Sequence, residues 1–325
     1  MSATDPLVER VRRGETGAIA RMITQIERRS DGVADRVAAL HRDAGTGHVV
    51  GITGPPGSGK STLVSALTSA ARRRGRTVGV LAVDPSSFYS GGAILGDRIR
   101  MSEQAGDPGV YLRSVATRGA LGGLSRAVLD GITVLSAAGK DLIILETVGV
   151  GQAEVDVISA AQTVVVVSVP GLGDDVQAIK AGLLEIADVH VLNKADRDGA
   201  QKTYAELKDM LRMGGLTAGR SWNIPVQKTI AGDGTGVEEL LDTVDAHLEW
   251  MASSGERERR TRRTSATRIR WMAEEMVLDR MRDGQACFDR EVDRVAELRT
   301  DPLHAARRLI DEQFGSRPAD AMGSR

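Results

Sequence analysis

Seven short, β-branched apolar runs punctuate the chain between residues 46 and 250: HVVGIT (48–53), TVGVLAV (77–83), VYLRSVA (110–116), DLIILET (141–147), TVVVVSV (163–169), VHVLNK (189–194) and PVQKTI (225–230). Several lack polar alternation, which marks strands buried on both faces. Longer stretches of helical period separate them. Strand–helix alternation of this kind predicts an α/β domain with a mostly parallel central sheet flanked by helices. Residues 1–45 read as an N-terminal helical segment, with Ile19, Met22, Ile23 and Ile26 spaced along one helix face. From about residue 251 the strand signals stop, and residues 251–325 read as a C-terminal helical extension. No repeat of solenoid period is present.

Composition narrows the class. A hydrophobic share of 41% is ample for a core, and a net charge of -1 does not describe a polycation for nucleic acid or membrane. Cys287 is the sole cysteine, so no disulfide forms within the chain, in keeping with a reducing cytosol. The opening MSATDPLVERVRRGE lacks a signal-peptide core, and no apolar run approaches the roughly 20 residues that span a bilayer. The expectation is a soluble cytoplasmic protein without a membrane partner. Residues 255–270 hold seven arginines against two glutamates. No aromatic platform accompanies them, so a solvated helix or domain junction is the better reading than a nucleic-acid patch.

The strongest chemical signal is GITGPPGSGKST. Gly54, Gly59, Lys60 and Ser61 fill the G-x-x-x-x-G-K-[ST] pattern between a predicted strand and a predicted helix. Gly54, Pro55, Pro56, Gly57, Ser58 and Gly59 form the loop, and its glycines let backbone N–H groups point at phosphate oxygens. Lys60, Ser61 and Thr62 open the helix, whose N-terminal dipole favours an anion. Lys60 is expected at the β- and γ-phosphates and the Ser61 hydroxyl on Mg²⁺. A plain Gly/Pro turn does not require this set. A P-loop NTPase fold is therefore predicted.

Asn193, Lys194 and Asp196 spell N-K-x-D after a late strand. A carboxylate at Asp196 can accept hydrogen bonds from the ring N–H and exocyclic amine of guanine, which adenine does not offer on that edge. The expected ligands are GTP and GDP. Lys194 can cover the base with its alkyl stem. Thr229 and Ala231, in TIAGDGTG, resemble the last guanine-contacting loop of GTPases. Asp84 and Glu146 each close a strand, and either carboxylate can hold Mg²⁺; Asp84 also reads as a cap before Pro85. Gly149 can donate its N–H to a γ-phosphate. Gln152 either orients water or is an ordinary surface residue.

The ordered set GITGPPGSGKST, VDPSSFYSGGAILGDRIRM, ETVGVGQAEVD, VPGLGDDVQAIKAGLLEIAD and NKAD resembles the methylmalonyl-CoA mutase-associated GTPases of the MeaB/ArgK type. That family includes the human methylmalonic aciduria type A protein. The likeness covers most of residues 10–250. It implies slow GTP hydrolysis and a homodimer formed through C-terminal helices. It also implies a partner: an adenosylcobalamin-dependent acyl-CoA mutase, with methylmalonyl-CoA mutase the default. There the GTPase gates cofactor loading and removes inactivated cofactor. By the same resemblance, Asp97 and Arg100 belong to a nucleotide-responsive first switch, with Asp97 near the metal. Asp174 and Lys180 belong to a third switch that relays nucleotide state; outside the resemblance these four read as solvated helix faces. Older designations of the family as a transport ATPase or kinase conflict with Asn193 and Asp196. The alternative is a P-loop GTPase serving as a metallochaperone or another regulatory switch. His41, His48, His190, His247 and His304 are scattered and Cys287 stands apart, which disfavours metal delivery.

Overall fold

A computed structural model describes residues 5–45, 47–84, 106–116, 126–147, 160–171, 186–213 and 222–315. The seven apolar runs all become strands: β1 (His48–Thr53), β2 (Val78–Asp84), β3 (Val110–Ala116), β4 (Leu142–Thr147), β5 (Thr163–Ser168), β6 (Val189–Asn193) and β7 (Val226–Thr229). They form one sheet in the order β3-β2-β4-β1-β5-β6-β7, and every pairing is parallel. β1 sits between β4 and β5, where successive connections leave in opposite directions. Open α/β sheets bind ligands outside the carboxyl ends of the strands at such a point.

The helices follow local signals. Asp5 caps α1 (Pro6–Arg12) by accepting from the Leu7 N–H at 2.8 Å, and Pro6 opens the helix. α2 (Thr16–Arg28) buries Ile19, Met22, Ile23 and Ile26, the four residues of the expected stripe, and ends where Arg29 turns left-handed. α3 (Val33–His41) completes the N-terminal group. α4 (Lys60–Arg73), α5 (Arg126–Ala137), α6 (Ala200–Met213) and α7 (Val237–Ser254) come from the α/β region. α8 (Glu256–Asp283), α9 (Gln285–Ala296) and α10 (Pro302–Phe314) follow.

Sheet alternation sorts the core. Val50, Ile52, Leu142, Ile144, Val165 and Val167 pack against Leu63, Leu67, Leu240 and Val244 of α4 and α7. α5 packs with α2 and α3. Both faces are therefore covered, as the unalternating runs require. Among the described residues, no helix is long and apolar enough to cross a membrane.

The chain divides into two compact units, Met1–Thr261 and Arg262–Arg325. In the second, buried Glu291 on α9 is held by Arg308 of α10 at 2.8 Å, beside buried Cys287, Ala305 and Leu309.

In the first unit, the amino ends of the strands carry a buried polar chain. Thr163 Oγ1 lies 2.7 Å from His48 Nε2 and 2.8 Å from His247 Nδ1. His247 Nε2 faces Asp188 at 3.4 Å, and Arg260 donates two bonds of 2.7 Å to the Asp188 carboxylate. The Thr163 hydroxyl thus bridges the two rings, donating to one imidazole nitrogen and accepting from the N–H of the other. Trp222 and Trp250 flank the His247 ring at 4.9 and 5.4 Å.

Burial pushes the His48 imidazole down to about 3 and His247 to about 4, with Asp188 opposing the second shift. Both rings are thus neutral in the fold, while the unfolded chain takes up protons near the usual histidine value. Stability is full above about pH 6.5 and is lost as pH falls below it, by up to roughly 1.4 kcal/mol per unit for each ring. Denaturant titrations should show the chain several kcal/mol less stable at pH 5 than at pH 7. His247→Gln should remove about half of that dependence. Equal stability at the two pH values would contradict the assignment.

Candidate functional site

The phosphate loop runs from the end of β1 into α4. Gly54 has φ 145°, and a side chain there would collide with the Val167 carbonyl, so β5 presses directly on the loop. Gly59 has φ 88°, and a Cβ there would meet Asn193 Nδ2 at 2.5 Å. This glycine thus serves the approach of a second loop as well as the turn. α4 begins without a side-chain cap, and its N-terminal end, with the positive end of the helix dipole, suits an anion. Ser58 and Lys60 are buried, Ser61 is half-buried, and Pro56, Gly57 and Thr62 are exposed.

The Lys60 ammonium donates to the carbonyl oxygens of Gly54 at 2.5 Å and Pro55 at 3.1 Å. It is therefore folded back over its own loop. Ser61 Oγ donates to Glu146 Oε1 at 2.6 Å. The register Ile52↔Glu146 explains this contact: it brings the last turn of β4 beside the strand that feeds the loop. Glu146 is 2% exposed, so its charge is buried against the Ser61 hydroxyl rather than in water. Asp84 closes β2 one residue beyond the Val83↔Thr147 pairing, on the same carboxyl edge.

The guanine-type motif closes on this loop. Asn193, the last residue of β6, is 1% exposed. Its Nδ2 donates to the Ser58 carbonyl at 2.9 Å. Its Oδ1 accepts from Thr229 Oγ1 and from the Ala231 N–H, both at 3.1 Å. Lys194 takes a left-handed φ of 56° and donates to the Gly57 carbonyl at 2.7 Å. Asp196 is exposed in the turn that follows. One carboxyl-edge cluster thus gathers the loop, Glu146, Asn193, Lys194, Thr229 and Ala231. Asp97, Arg100, Gly149, Gln152, Asp174 and Lys180 lie outside the described residues.

Two features go beyond the motifs: Asn193 joins the phosphate loop to residues 229–231, and Thr53 and Thr147 meet as a buried hydroxyl pair beneath the loop at 3.1 Å. The first was legible in principle, because an asparagine closing an apolar strand needs partners. The second carries no sequence signal.

Removing the clamp leaves a buried carbonyl, N–H and hydroxyl without partners. Asn193→Ala should therefore lower stability by about 3 kcal/mol, whereas Lys194→Ala, which breaks one exposed bond, should cost under about 1 kcal/mol. Chemical denaturation of both variants is the check. Equal losses would show that the clamp carries no special weight.

Comparison with known proteins agrees with this geometry. The family model described as methylmalonyl Co-A mutase-associated GTPase MeaB matches residues 19–286. A protein of Pyrococcus abyssi classed as a GTPase is 44% identical over 314 residues, covering 96% of this chain and 97% of its own. The GTPase ArgK of Escherichia coli is 33% identical over 284 residues, covering 84% and 85%. A solved structure, the LAO/AO transport system kinase, superimposes with a TM-score of 0.66 at 24% identity over 96% of this chain and 99% of its own. At that identity the likeness speaks for the fold alone. The sheet, the loop and these matches together place the chain among P-loop GTPases, and it belongs to the methylmalonyl-CoA mutase-associated GTPase MeaB family.

Proposed function

We propose that this GTPase acts in the cytoplasm as a chaperone of an adenosylcobalamin-dependent acyl-CoA mutase, with methylmalonyl-CoA mutase the first choice. It gates cofactor loading and protects or reactivates the mutase. The observation that carries this reading is the family match over residues 19–286, whose description names association with that mutase. A mouse relative, the mitochondrial methylmalonic aciduria type A homolog, is 40% identical over 212 residues and supports it.

The nucleotide chemistry follows from the cluster. The uncapped N–H groups of α4 receive phosphate oxygens, and Lys60 exchanges its two carbonyl partners for the β- and γ-phosphates. Ser61 and Glu146 supply hard oxygen donors 2.6 Å apart, a set that fits Mg²⁺. Asp84 and Asp97 are further carboxylates for that end. A magnesium ion there would neutralise charge on the β- and γ-oxygens. Asp196 reads guanine, Lys194 covers the base, and Thr229 and Ala231 close the pocket through Asn193. Gly149 donates to the γ-phosphate and Gln152 orients the attacking water. Arg100, Asp174 and Lys180 respond to nucleotide state and pass it to the mutase.

The second unit supports a homodimer. On α8, Met276 is 71% and Leu278 44% exposed, beside half-buried Trp271, Met272 and Met281. Such apolar area on a long helix calls for a covering surface, and a second copy provides one. Light scattering should give a dimer for the full chain and a monomer for a chain ending near residue 250. The same mass for both would refute the arm's role.

The partner assignment is tested by hydrolysis. The mutase should accelerate GTP turnover. Asp174→Ala or Lys180→Ala should lose most of that acceleration while GTP affinity stays within about threefold, because a relay must bind the partner differently in its two states. An unchanged rate on adding mutase would overturn the partner. Equal losses of affinity and acceleration would reduce those residues to parts of the nucleotide pocket.

A further inference from the structure

Two buried threonines lie directly beneath the phosphate site, and the motifs assign them nothing. The register Ile52↔Glu146 sets Thr53 beside Thr147 at the carboxyl ends of β1 and β4. Thr53 is 0% and Thr147 1% exposed. Ile52 and Ile144 face α4, so alternation turns both threonines to the opposite face of the sheet. Thr147 Oγ1 lies 3.1 Å from Thr53 Oγ1 and 3.4 Å from the Ile52 carbonyl.

The neighbours make the hydroxyls conspicuous. Val83 is registered beside Thr147 and Val166 beside Thr53, and both are buried. Valine has nearly the shape of threonine and carries no polar atom to desolvate. Packing alone therefore favours valine at positions 53 and 147 as well. The hydroxyl pair joins two strand ends that each lead to a phosphate-end group. Thr53 precedes Gly54, whose carbonyl holds Lys60. Thr147 follows Glu146, whose carboxylate holds Ser61.

We propose that Thr147 and Thr53 are positioning residues for GTP hydrolysis: their hydroxyl bridge fixes the end of β4 against the start of the phosphate loop and so sets Glu146 relative to Ser61. The proposal rests on the reading of Ser61 and Glu146 as the magnesium end of the site. Magnesium demands near-ideal oxygen geometry, and errors well under an ångström at a reacting centre are costly. Loosening this bridge acts chiefly at the metal end, while the clamp at Asn193 is made by other hydrogen bonds.

The test is GTP hydrolysis by the full chain across a magnesium titration, with GDP affinity measured separately in EDTA. Thr147→Val should raise the magnesium needed for half-maximal rate by about tenfold and lower kcat by a similar factor, while GDP affinity in EDTA stays within about twofold. Thr53→Val should do the same, and should serve alone if Thr147→Val does not fold. Thr147→Ser should restore most of the parental behaviour. The double valine variant should be no worse than either single one, since both remove one bridge. Glu146→Gln is the control for the underlying reading. If it keeps the parental magnesium dependence, that reading falls and the proposal falls with it. If Glu146→Gln loses the dependence while Thr147→Val and Thr53→Val keep it, the bridge positions nothing. If Thr147→Ser behaves like Thr147→Val, methyl packing rather than the hydroxyl is responsible and the proposal is overturned.

Discussion

One buried amide holds the nucleotide end of this protein together. Asn193 spends its two amide functions on three partners from two segments remote in sequence: the Ser58 carbonyl, and the Thr229 hydroxyl with the Ala231 N–H. Each partner is buried, so none can turn to water if Asn193 is lost. The clamp sets the requirement for glycine at position 59, where any side chain would strike the Asn193 amide. It also joins the phosphate loop to the carboxyl ends of β6 and β7, so these segments share one rigid origin.

The sheet keeps its two kinds of polar chemistry apart. At the carboxyl ends, Lys60 bonds to the Gly54 and Pro55 carbonyls and Ser61 to Glu146. At the amino ends, His48, Thr163, His247, Asp188 and Arg260 form a buried chain of polar contacts. Asp188 also accepts from the Val164 N–H and, through its carbonyl, from Trp222. That chain ties α7 and the first turn of α8 to the starts of β1, β5 and β6. A buried carboxylate supplied with this many donors is stable where an isolated one is not.

Much of this was legible in the sequence, for a physical reason. Strands buried on both faces must be apolar throughout, so HVVGIT, DLIILET and TVVVVSV announce themselves, as does the loop that needs Gly54 and Gly59. The stripe of Ile19, Met22, Ile23 and Ile26 was equally plain, because a helix face repeats locally. What stayed hidden depends on register. Thr53 and Thr147 are 94 residues apart, and His48 and Thr163 are 115 apart. No local period records such pairs; only the strand order β4-β1-β5 brings them together. Arg260 looks in the sequence like one arginine of a charged run, yet it meets Asp188 at 2.7 Å.

On this reading the cluster built around Asn193 is a guanine nucleotide site. Calorimetric titration of the unmodified full chain with GDP and with ADP tests it most directly, because affinity for the base is read without any step of hydrolysis. A carboxylate such as Asp196 that a bound base covers without offering donors costs enough to separate the two ligands widely. GDP should bind at least about a hundredfold more tightly than ADP. Equal affinities for the two would contradict it.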